Sequence, residues 1–248
     1  MNPAKRFLRS RSTSGLRLAI REVCNEWKLY RRHQRARRDV PKFLRTGTPL
    51  KLNLGSGPNR KAGWLNIDLF HPAADLHLDL RERWPFPDGS VSHIYSEHVL
   101  EHFEFSYPVP HIMAESFRVL CPGGVFDVGV PDTEWAIRSY GNPESLFFSM
   151  ARSTWHPAWC ETQLDHINEH FRQHGEHKYC WDTETLTRSL RRAGFTSITR
   201  REFDPDLDAE FRRMGTFYMR ALKPPASRQH KHMGNELAIQ SEISSLTS

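Results

Sequence analysis

The chain has 248 residues, a formal net charge of +6, 38% hydrophobic residues and four cysteines. That length suits one α/β domain with extensions. No apolar run approaches the roughly 18 residues of a membrane-spanning helix, and the N-terminus lacks the apolar core of a secretory signal. Residues 1–50 carry 14 Lys+Arg against 3 Asp+Glu, while the rest is mildly acidic. A nucleic-acid groove across the body of the chain is therefore not expected. Cys24, Cys121, Cys160 and Cys180 form no CxxC pair and no disulfide framework, which fits a reducing, cytoplasmic setting. The Arg- and Ser-rich start, with no acid before Glu22, also fits a mitochondrial presequence.

In chain order, residues 1–13 read as disordered. Leu16, Ile20, Val23, Trp27 and Tyr30 then step by four and three, which places them on one face of a helix. Arg17, Arg21, Lys28, Arg31, Arg32 and Arg35 occupy its other faces. Two readings stand for this basic arm, residues 1–49. Its apolar face packs on the domain, or the arm meets a membrane surface or another anionic partner.

Residues 50–223 read as one domain of alternating strands and helices. Strands are expected at 50–54, 65–68, 75–79, 91–95 and 125–130, with a closing pair at 196–203 and 216–222. Helices are expected at 110–120, stopped by Pro122-Gly123-Gly124, and at 183–193, followed by Gly194. Alternation of this kind implies a mainly parallel sheet covered on both faces. Residues 132–177 form a His- and Trp-rich insertion, long enough for a lid or binding element. Residues 224–248 read as a flexible polar tail.

Three positions point to a ligand at the carboxyl edge of the sheet. An apolar strand runs into Gly55-Ser56-Gly57, where glycines permit a tight turn and close approach of the backbone. Arg60 stands where a dinucleotide fingerprint has its third glycine, which weakens an NAD reading. Asp68 ends the second strand and suits ribose hydroxyls. Asp79-Leu80 ends the third and suits an adenine, the acid accepting from its amine and the leucine packing on the ring. Residues 58–63 read as an irregular first crossover.

Together these segments resemble class I S-adenosylmethionine (SAM)-dependent methyltransferases, especially the type 11 group. The resemblance runs through Leu52-Asn53-Leu54-Gly55-Ser56-Gly57 and Asn66-Ile67-Asp68. It continues in Asp79 with the Trp84-Pro85-Phe86-Pro87-Asp88-Gly89-Ser90 loop, His98-Val99-Leu100-Glu101-His102 and Arg118-Val119-Leu120-Cys121-Pro122-Gly123-Gly124. It implies an α/β, Rossmann-like, three-layer methyltransferase fold of about seven strands, mainly parallel with the last antiparallel. It also implies SAM as cofactor, contacted by Asn53, Gly55, Ser56, Gly57, Asp68, Asp79, Leu80, Ser96 and Glu97. The acceptor is then a small molecule or, since similar proteins accompany cell-surface polysaccharide synthesis, a glycan.

Methyl transfer to oxygen needs a proton acceptor, and His98, His102 and His177 are the candidates. Two alternatives stand beside catalysis of this kind. One is a SAM-binding subunit without activity. The other is a zinc hydrolase using the H-x-x-E-H string of His98 to His102, with both histidines on one helix face. His166, His170 and His174 step by four, so a helix would align them near Cys160 and Cys180. The insertion is nonetheless read as a polar lid with no metal. Trp155, Trp159, Phe171 and Trp181 are expected mostly to pack that lid to the sheet.

Overall fold

A computed structural model describes residues 13–226, so most of the polar tail and the first twelve residues lie outside it. Its sheet has six strands in the order β2-β1-β3-β4-β6-β5. β1 (Leu50–Leu54), β2 (Leu65–Ile67), β3 (Val91–Glu97) and β4 (Leu120–Pro131) are parallel. β6 (Thr216–Leu222), the last strand, runs antiparallel to both β4 and β5 (Thr196–Arg201). The helices are α1 (Ser14–Phe43), α2 (Val109–Val119), α3 (Thr133–Ser139), α4 (Leu146–Met150), α5 (Gln163–Arg172) and α6 (Thr183–Arg192). This is the expected Rossmann-like α/β arrangement.

The strand expected at 75–79 is reduced to a single bridge between Ile67 and Leu76. The cause is local. The Asp68 carbonyl, which would continue the ladder, lies 2.9 Å from His77 Nδ1 instead, and the Asn66 N–H donates to the Asp75 carboxylate at 2.9 Å. Leu76 and Leu78 are buried, so the alternation at 75–79 records burial on one face rather than strand pairing.

Alternation along the true strands sends Leu52, Leu54, Ile94, Phe126, Val128, Phe217 and Met219 into one core. Ala36 and Val40 of α1, Ile112 and Met113 of α2, and Leu186 and Leu190 of α6 complete it. Each such side chain contributes about 1.5–3 kcal/mol by leaving water. Asp182 caps α6 in a reciprocal box with Thr185. The positions between the core residues carry polar groups. Asp127, fully buried, accepts from His93 at 2.7 Å, Arg201 at 3.0 Å and Arg220 at 2.9 Å. Burial alone would raise its pKa; the bonds from His93 and Arg220 and the charge of Arg201 outweigh it and hold the group at about 2.

Only the second half of α1 packs as the arm was expected to. Leu16, Ile20, Val23, Trp27 and Tyr30 are all exposed, Val23 by 70%. Among the described residues nothing buries this first apolar stripe, whereas Ala36 and Val40 further along the helix enter the core. No helix among the described residues is long and apolar enough to cross a membrane.

Candidate active site

β1 ends in a turn whose geometry demands glycine. Gly55 has φ of 59° and Gly57 has φ of 48°, both in the left-handed region. A Cβ on Gly55 would lie 2.3 Å from a methyl of Val99, while the corresponding space at Gly57 is open. The Ser56 N–H donates to Ile67 at 3.0 Å. The Gly57 N–H donates to Asp68 at 2.9 Å, and the other Asp68 oxygen accepts from Phe70 and His71 at 2.8 Å each. Three of the roughly four acceptor sites of this half-buried carboxylate are thus filled by backbone. A ribose hydroxyl gripped by Asp68 must take the fourth or displace one of them.

The other expected cofactor residues separate into two kinds. Asn53 is buried and spends both amide hydrogens, on Asn59 at 3.0 Å and Asn66 at 2.9 Å. It braces the irregular crossover, residues 55–64, which contains no helix. Asp79 is also buried, and Arg81 forks it at 3.0 and 2.7 Å. Arg81 reaches on to Glu26 of α1 at 3.2 Å, so an adenine amine must share Asp79 with a guanidinium. Glu97 accepts from Tyr218 at 3.0 Å and Ala209 at 3.3 Å, and Arg212 donates to its carbonyl at 2.8 Å. By contrast, Ser56 and Ser96 each bury a hydroxyl oxygen with no hydrogen-bond partner among the described residues, and Leu80 is buried, its carbonyl accepting from Trp84 Nε1 at 3.1 Å. Arg81, Glu26 and Arg212 are neighbours of these residues that sequence reading missed.

Just beyond β3, His98 adopts φ of 55°, a strained value for a non-glycine residue. Its Nε2 lies 2.8 Å from the Thr216 hydroxyl and its Nδ1 3.5 Å from a Glu101 oxygen. Burial, then the charge of Arg212 and the neighbouring His177, holds its pKa well below 6.5, so the ring is neutral near pH 7. Glu101 is almost wholly enclosed, with no hydrogen bond to either oxygen, and burial pushes its pKa up to about 8.

His98 opens into a cavity of about 370 Å³, shared with His156, Glu169, His170, Gln173 and His177 from the insertion. Trp155, Phe211, Met214, Arg212 and Thr216 complete most of the wall. His177 is turned inward by a contact of its Nδ1 with the His170 carbonyl at 3.2 Å, and burial followed by His102 lowers its pKa to about 4. His102 is exposed and lies outside the cavity wall, with its ring 5.1 Å from that of His177. The left-handed His98 and a short 3-10 turn at Leu100–His102 keep His98 and His102 off a common helix face. The hydrolase geometry expected of the H-x-x-E-H string is therefore not formed.

Within the insertion, α5 aligns His166 and His170, but His174 lies past its end at φ of 56° and pairs with Glu169 at 2.9 Å. Trp155 and Phe171 pack a small core of the insertion itself, around Ala136, Phe147, Phe148 and Ala151. Trp181 joins the main core, and Trp159 is exposed.

Residues 53–128 match the family model described as a methyltransferase domain. The match begins at the glycine turn and ends within β4, so it covers the cofactor side and leaves out the insertion. No curated protein matches the chain in sequence. Among solved structures, the chain is similar to a SAM dependent methyltransferase from Archaeoglobus fulgidus, at 15% identity and a TM-score of 0.45, over 77% of this chain and 92% of that one. It is also similar to an S-adenosylmethionine dependent methyltransferase from Mesorhizobium loti, at 20% identity and a TM-score of 0.41, over 74% and 97%. The family match, rather than these distant likenesses, carries weight.

Proposed function

We propose, from the premise that residues 53–128 are the SAM-binding part of a methyltransferase domain, that the chain methylates an acceptor held in the cavity beside His98. One observation carries the reading. Val99 closes on Gly55, and the preceding residue, His98, opens into the cavity. Donor turn and acceptor chamber are thus one chain step apart.

The residues present fit a nucleoside cofactor. Gly57 faces open space, and the Ser56 and Ser96 hydroxyls are buried without partners. Gly55, Ser56, Gly57, Asp68 and Ser96 would hold it, with Asp79 and Leu80 bounding the adenine side. Asn53 and Glu97 support the site through the crossover and the 209–212 segment. When bound, SAM supplies an electrophilic methyl on a sulfonium.

The protein aligns the acceptor and moves its proton. An acceptor hydroxyl beside Thr216 donates to His98 Nε2, directly or through the Thr216 oxygen. The neutral His98 ring accepts that proton, and the Glu101 carboxyl, 3.5 Å from its Nδ1, holds the ring in the orientation that presents Nε2 to the cavity. His177 and Arg212, which line the same cavity, orient the acceptor, and His102 braces His177. Aromatic faces from Trp155 and Phe211, set among polar groups, suit a hydroxyl-rich small molecule or glycan.

Calorimetric titration with S-adenosylhomocysteine tests the donor site. Wild type should bind one equivalent, and Asp68→Ala should weaken binding by about tenfold, the loss of one to two hydrogen bonds. No heat from wild type would overturn the proposal. Binding without release of S-adenosylhomocysteine over a panel of hydroxyl acceptors would favour the non-catalytic subunit.

The exposed stripe of α1 supports a second role, peripheral contact with an anionic membrane surface from the cytoplasmic side. Leu16, Ile20, Val23 and Trp27 offer apolar surface beside Arg17, Arg21 and Lys28, the composition of an interfacial helix.

A further inference from the structure

The insertion holds a cluster that the methyl-transfer reading does not use. His156, Cys160 and His166 each offer one ligand atom, and those atoms lie within 4.8 Å of one another. The Nδ1 atoms of His156 and His166 face each other at 3.0 Å, with the rings stacked. His166 and Cys160 are buried. His156 is half-buried on the cavity wall.

We propose that His156, Cys160 and His166 bind a zinc ion that clasps the insertion over the cavity. The chemistry of the set is specific. Two neutral imidazoles and a thiol match the soft-to-borderline preference of zinc and disfavour calcium or magnesium. Ligands about 2.0–2.3 Å from a tetrahedral centre sit roughly 3–4 Å apart; the two Nδ1 atoms match this at 3.0 Å, and Cys160 lies within 4.8 Å of both ligand atoms. With no cation between them, two Nδ1 atoms at 3.0 Å must share one proton, and a metal replaces that arrangement. The His166 Nε2 is buried without a partner, so the other face of the ring offers no competing bond that turns Nδ1 away.

The backbone prepares the same three positions. A π-helical turn, Ala151–Trp155, ends directly at His156, and π-turns occur frequently at functional sites. A capping box of Thr162 and Asp165 starts α5 and fixes His166 in its first turn. Cys160 lies in the bend between them. A zinc ion would join both ends of this bend, so that the two elements bearing His156 and His170 close together on the cavity. Binding releases the Cys160 thiol proton to solvent, and the three protein ligands leave a fourth position for water.

Zinc titration of the full chain, read by calorimetry and by metal content after dialysis, tests this directly. One zinc per chain is expected. Cys160→Ser should weaken binding by more than about 100-fold, beyond the loss of an outer-shell partner, and Cys121→Ser should leave it unchanged. Because Cys160→Ser affects a buried position, cobalt(II) binding to the wild-type chain supplies a second reading. A thiolate-to-cobalt charge-transfer band supports the site. A metal-free chain, a cobalt spectrum without that band, or full zinc retention by Cys160→Ser would overturn it.

Discussion

The glycine turn and the insertion are built by opposite means. At the turn, backbone geometry does the work: two left-handed glycines, and a carboxylate filled by three backbone N–H groups. In the insertion, side chains dominate, and among the described residues Nε2 of His166, His170 and His177 are buried without partners. A site built from backbone tolerates little change in shape. A site built from unsatisfied side chains keeps capacity for a ligand or metal, at a cost in stability that the fold must offset.

Four variants would break or sharpen this contrast. The largest effect is expected at His98. His98→Ala should lower turnover by about 10²–10⁴-fold, the span of general-base catalysis, with S-adenosylhomocysteine binding preserved; equal loss of both would make His98 structural. Next comes Gly55→Ala, whose methyl would meet Val99 at 2.3 Å in a left-handed conformation. Overpacking and strain together predict about 2–4 kcal/mol of lost stability, measurable by urea denaturation.

Glu101→Gln should act in the other direction. The Glu101 pKa is raised from 4.5 to about 8 in the fold, so the native state favours its proton. That stability is present below the unfolded pKa and is lost as pH rises through about 8. Glutamine keeps the shape without the charge. The variant should gain about 1–3 kcal/mol near pH 8 and nothing near pH 4, while losing turnover. A gain that does not grow with pH would contradict a buried, strained acid. The smallest effect on stability belongs to Trp27→Glu on the exposed stripe, within about 0.5 kcal/mol. The same change should reduce pelleting with anionic vesicles, and unchanged pelleting removes the membrane contact.

The contrast also explains what could be read from sequence. Gly55, Gly57 and Asp68 were legible because a turn of this kind constrains residue types within about a dozen positions. The closing strand at 216–222 and the capped helix at 183–192 were legible for the same local reason. Partnerships formed across the chain were not. Glu97 meets Tyr218 across 121 residues, and His98 meets Thr216 across 118, so no spacing rule marks them. Arg81 lies only two residues from Asp79, yet the acid reads equally well as open to adenine. Period alone misled twice. At 75–79 it recorded burial with no more than a single bridge, and at Leu16 to Tyr30 it recorded an apolar face that stays exposed.

A crystal structure of the chain with S-adenosylhomocysteine bound tests the central claim most directly. The account predicts the nucleoside against Gly55, Ser56 and Gly57, its ribose at Asp68, and its sulfur directed to the mouth of the cavity at His98. A ligand bound elsewhere, or one whose sulfur is walled off from His98, would contradict it.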